Sequence, residues 1–125
     1  MKKFLITAVL VSTLTPLSAH AQERMSDARY IAAQHCLAYA DLEQLRSDPI
    51  DFGALREAVA PGYRSSAVTA DARDTANRVR ARAGLLANAN GGMEELRDSR
   101  EQACARFVER GLVHNSGAAA SSGAS

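Results

Sequence analysis

MSDARYIAAQHCLAYADLEQLR, residues Met25 to Arg46, is the longest continuous helical pattern in the chain and carries one of its two cysteines. Tyr30, Ile31, Leu37, Ala38, Leu42 and Leu45 recur at steps of three and four, which places them on one face of a helix. Gln34 and Asp41 interrupt that face. Cys36 falls on nearly the opposite side, in a strip of small residues with Ala32, Ala33 and Ala40. A helix that is apolar on two sides is predicted to be central, with a broad leucine surface and a narrow strip where another backbone comes close.

The second cysteine, Cys104, lies in a late apolar pattern formed by Met93, Leu96, Ala103, Cys104, Phe107 and Val108. That pattern predicts a last helix over about 93–113, docked on the small-residue strip and leaving the leucine side to the two helices between. A disulfide Cys36–Cys104 would close a loop of about 70 residues, for which chain entropy gives about 4 kcal/mol of stabilisation. Between the two cysteine helices, Ser47, Asp48 and Pro49 read as the start of a short second helix over about 49–60, with Phe52, Leu55 and Val59 inward and Pro61 and Gly62 ending it. Tyr63 to Ala67 reads as a loop. Thr69 is the expected cap of a third helix carrying the repeat Val68, Ala72, Ala76, Val79, Ala83 and Leu86. The stretch NANGG, Asn88 to Gly92, is a strong stop. No strand-length alternation is present. The expectation is an all-α, four-helix domain over residues 22–114 with helix one central.

Both ends of the chain differ from this middle. MKKFLITAVLVSTLTPLSAHA combines Lys2 and Lys3, an apolar run from Phe4 to Leu14, Pro16, and the triplet Ala19, His20, Ala21. It reads as a cleavable signal peptide over residues 1–21, and its apolar run falls well short of the roughly 20 residues of a membrane span. The periplasm is the expected compartment, and an oxidising compartment is where a disulfide persists. NSGAAASSGAS, Asn115 to Ser125, is small, uncharged and aperiodic, the composition of a disordered tail.

Without residues 1–21, thirteen arginines face fourteen acids and no lysine remains. Near-neutral, interspersed charge argues against a nucleic-acid partner. Neither cysteine sits in the CxxCH of a covalent haem, and His35 and His114 lack the partners zinc requires; no cofactor or metal is expected. Asp41 is the one carboxylate to which an enzymatic reading could assign acid or base work, against the reading of a structural ion pair with an arginine such as one from helix three. Ser65 and Ser66 have no GxSxG turn around them.

With chemistry so sparse, a protein-binding role is the expectation and enzymatic activity is not expected. Tyr63 and Arg64 pair an aromatic and a cation on a turn, the composition of binding hot spots. Arg73, Arg78, Arg80 and Arg82 form a cationic side of helix three that could take an acidic partner or simply face water. In size, signal peptide and a cysteine early in the first helix, the chain is similar in outline to the small disulfide-bonded helical immunity proteins that neutralise cell-wall amidases delivered by type VI secretion. The resemblance implies a protein partner and assigns no residue. A periplasmic stress chaperone and a carboxylate-dependent envelope enzyme are the alternatives. The partner is expected to be another periplasmic or envelope protein, with a second copy of this chain as the other candidate.

Overall fold

The computed structural model describes residues 24–116; the expected signal peptide at 1–21 and most of the expected tail at 115–125 lie outside them. Four helices make up most of it: α1 (Asp27–Ala40), α2 (Gly53–Val59), α3 (Ser66–Leu86) and α4 (Gly92–Glu109). The small all-α, disulfide-linked domain expected from the sequence is what is found. Cys36 and Cys104 are bonded, with Cα atoms 4.9 Å apart, so α1 and α4 approach closely where Ala33 and Cys36 offer no bulk. Among the described residues no helix is long and apolar enough to cross a membrane.

α1 is central, touching α2, α3 and α4, but it divides its faces differently from expectation. One buried cluster joins Ala33, Cys36 and Leu37 to Leu55 of α2, to Cys104 and Phe107 of α4, and to Met25 and Val113. A second joins Ala38, Tyr39, Leu42 and Leu45 to Val79 and Ala83 of α3 and to Leu96 of α4. Helix two therefore packs on the cystine side. The leucine side belongs to α3 and the first half of α4.

Element boundaries moved for identifiable reasons. Ser26 caps α1, its hydroxyl accepting from the Arg29 amide at 3.2 Å. The helix ends at Ala40, six residues short of the predicted end, because the backbone at Leu42 is extended and a 3₁₀ turn, Glu43–Leu45, follows. Leu42 and Leu45 reach the second cluster from that turn, so the apolar period outlasts the helix. α2 begins at Gly53, not Pro49. Residues Ile50–Asp51 form a short strand β1 paired antiparallel to β2, His114–Asn115, with Ile50 opposite Asn115. The Asp51 carboxylate then accepts from the Gly53 amide at 2.8 Å and starts the helix in place of the predicted proline signal.

The third helix is capped by Ser65, which accepts from the Val68 amide at 3.3 Å; Thr69, the predicted cap, lies within the first turn. Its apolar repeat points inward as expected, with Ala72, Val79 and Ala83 buried. In the NANGG turn a Cβ on Gly92 would lie 1.7 Å from the Leu86 carbonyl oxygen, so the close return of α4 onto the end of α3 requires glycine there. At the other end α4 stops at Glu109. Gly111, at φ 73°, donates to the Val108 carbonyl and Leu112 to that of Phe107, the paired bonds of a left-handed C-cap. Val113 turns back into the first cluster. Val108, expected on the apolar face, is 54% exposed. Asn115, read from the sequence as the first residue of the tail, lies in β2, and Ser116 donates to the Pro49 carbonyl at 2.9 Å.

Asp48 ties the α1–α2 connection to α4, taking hydrogen bonds from Arg100 at 2.8 Å and Arg97 at 3.1 Å. These two arginines hold its carboxyl below the ordinary value of 3.8. Because the folded value is the lower one, the contribution is present above the unfolded value and disappears as pH falls through the folded one. The difference in Tm between the wild type and Asp48→Asn is therefore expected to narrow as pH drops from about 6 to about 3. A gap independent of pH would show that the two arginines add nothing.

Candidate functional site

α1, α3 and α4 leave a groove between them. Its floor is the outward side of α1, made by Ala28, Ile31, Ala32, His35 and Tyr39, and the α3 wall is Thr75, Arg78, Val79 and Arg82. Arg106 of α4 closes this cavity of about 640 Å³. A second hollow of about 350 Å³ shares Ala32, His35, Tyr39, Arg82 and Arg106 and extends along α4 past Ser99, Gln102 and Ala103. The two adjoin through these shared side chains.

The cystine sets its register. His35 adjoins Cys36, and Arg106 lies two residues past Cys104, so the bond that fixes α1 against α4 also brings these side chains to one opening. The 3.6-residue repeat stacks Arg78 and Arg82 one turn apart on α3. Arg78 donates to the Thr75 hydroxyl at 3.3 Å. Arg82 donates to Glu95 at 2.6 Å, which raises it above the usual arginine value, and the Tyr39 side chain lies beside it. Arg106 has no ion pair among the described residues. The lining thus holds three guanidiniums and no carboxylate, with Glu95 alone offsetting one of them at the edge. The His35 and Tyr39 rings stand 5.5 Å apart. Partial burial and the Arg78 charge both push the His35 pKa down, which keeps the ring neutral near pH 7.

The residues singled out from the sequence are scattered by the fold. Arg78 and Arg82 join the groove, whereas Arg80 donates to Asn77 within its own helix. Arg73 lines a separate shallow hollow with Tyr63 and Arg64. Tyr63 is 81% exposed, but Arg64 is only 9% exposed and is no surface contact. Its guanidinium lies 4.5 Å above the Tyr30 ring and donates to Asp27 at 2.8 Å, clamping the start of α3 to α1. Its Nε and Nη2 have no hydrogen-bond acceptor among the described residues. Asp41, past the end of α1, pairs with Arg56 at 2.6 Å; the arginine comes from α2 and not from helix three. Among the described residues no three His, Cys, Asp or Glu side chains are grouped to hold a metal ion.

No family model, curated protein or solved structure matches this chain. The groove is therefore read on its own chemistry. Arg106, Gln102 and Ser99 were not among the residues singled out from the sequence, since α4 reads locally as a mixed polar face. The signal that locates them is the cystine: residues flanking Cys104 must face residues flanking Cys36. Guanidiniums over a partly apolar floor can hold carboxylates in paired hydrogen bonds while neighbouring apolar groups cover Ile31 and Ala32.

Proposed function

We propose that this chain is an exported binding module that engages another protein of the periplasm or envelope through the groove between α1, α3 and α4. The observation that carries the reading is the groove's charge: Arg78, Arg82 and Arg106 converge from two helices on His35 and Tyr39 with no carboxylate in the lining. Such a patch steers and orients an oppositely charged partner. Export is supported by the pattern of residues 1–21, and a disulfide suits an oxidising compartment. The alternatives have less behind them. A chaperone needs contiguous apolar surface, and the exposed large apolar residues among those described, Tyr63, Leu85 and Val108, sit at the α3 entry, late in α3 and late in α4. For an enzyme, Asp41 offers only a carboxylate in an exposed ion pair.

Oxidised protein used as bait in a periplasmic extract should retain a protein partner that the double variant Arg78→Glu/Arg106→Glu loses. The wild-type complex should also weaken as salt is raised. Recovery that is equal with the double variant, or no protein partner at all, rejects this role for the groove.

A further inference from the structure

We infer that the occupant of the groove is an extended stretch of polypeptide alternating acidic and apolar side chains, and that its carboxylates draw a proton onto His35 as they bind, so that acidification tightens the complex. The inference rests on the reading of the groove as a protein-binding site. Its starting point is shape. The floor runs along α1 from Ala28 to Tyr39, about 16 Å at the helical rise. About five extended residues cover that length.

Composition then selects the side chains. Arg78 and Arg82 on one wall and Arg106 on the other offer planar forks suited to carboxylates. The part-exposed Ile31 and Ala32 belong to the same lining and would stay wet beneath a small inorganic anion. Side chains that alternate along an extended strand point to opposite sides, so acids can meet the rim while intervening apolar groups lie on the floor. A membrane surface is disfavoured by the same lining, since it includes no leucine or phenylalanine to enter the acyl region.

His35 sits where the charges converge. Facing it are Tyr39 on its own helix, Thr75, Arg78 and Arg82 from α3, and Gln102 and Arg106 from α4; Glu95 is engaged by Arg82. In the free protein these cations oppose a further positive charge, and partial burial together with the Arg78 charge holds the His35 value down. Carboxylates entering the groove reverse the local field, so His35 has a higher pKa in the complex than in the free protein. By linkage, affinity is greatest below the free-state value and declines as pH rises through the bound-state value. Glutamate side chains, with an ordinary value of about 4.3, remain ionised at pH 5.5, so the response belongs to the histidine.

The test uses the oxidised protein, ¹⁵N-labelled, with an acetylated and amidated (Glu-Leu)₃ peptide and its (Gln-Leu)₃ counterpart as probes. The acidic peptide should shift amides of Ile31, His35, Tyr39, Val79 and Arg106, and the glutamine peptide should not. From pH 7.5 to pH 5.5 the Kd should fall about threefold. His35→Gln should abolish that response, and His35→Lys should bind tightly at both pH values. Shifts that map elsewhere, equal binding of the glutamine peptide, or a pH response that survives in His35→Gln overturns the inference. So does displacement of the peptide by phosphatidylglycerol vesicles or inorganic polyphosphate at lower concentration. If the extract yields a partner that the double charge reversal loses, while the acidic peptide fails or binds without pH dependence, the protein-binding role stands and this inference alone falls.

Discussion

Replacing Cys36 and Cys104 with alanine is expected to lower stability by about 4 kcal/mol, the chain-entropy value for a loop of this size, with the bond spanning 68 positions. Small domains are stable by about 5–15 kcal/mol in total, so a large part of the stability is at stake. The loss should not be uniform. The cystine belongs to the cluster containing Leu55, Phe107 and Val113, whereas Val79, Ala83, Leu42 and Leu45 belong to the other. Hydrogen exchange should therefore report early loss of protection in the second half of α4, in α2 and in the β1–β2 pair. The α1–α3 packing should outlast them. Equal loss of protection across all four helices would show that the two clusters form a single cooperative unit.

Phe107→Ala should cost about 3–5 kcal/mol, the range for deleting a buried aromatic ring and leaving a cavity. Phe107 is the largest side chain with no exposed surface, and it packs directly in the cystine's cluster. Val108→Ala, one residue on, should cost under about 0.5 kcal/mol, because Val108 is half exposed. Denaturant midpoints of the two variants give the comparison at once. Similar midpoints would mean that the face assigned to α4 is rotated.

This pair also shows how much the sequence disclosed. Phe107 and Val108 are both apolar and both fit a helical stripe; only the seat of Cys104 against α1 decides which of them points inward. The number of helices, the disulfide and the α3 repeat were legible because each depends on local spacing or on there being only two cysteines. The end of α1 was not, since Leu42 and Leu45 keep the helical period while standing on a 3₁₀ turn. Nor was β1: Ile50 pairs with Asn115, whose identity as a partner leaves no mark near Pro49. Arg64 reads locally as a surface hot spot because Tyr30 and Asp27, the groups that bury it, are more than thirty residues away in the chain. Of the groove, the sequence marks His35, Arg78 and Arg82, each for a separate reason. Their common opening appears only once the cystine fixes α1 against α4, and that same constraint brings in Arg106.

The bond between Cys36 and Cys104 also makes everything between them a closed ring. α2 and α3 lie wholly inside it, together with the exposed Tyr63 turn and the residues 87–91 that join α3 to α4. A single proteolytic cut in either of those turns opens the ring without releasing a fragment. The nicked chain still carries α1 and α4 on one covalent body, and with them the His35 and Arg106 sides of the groove. Damage of that kind becomes visible as two pieces only under reducing conditions.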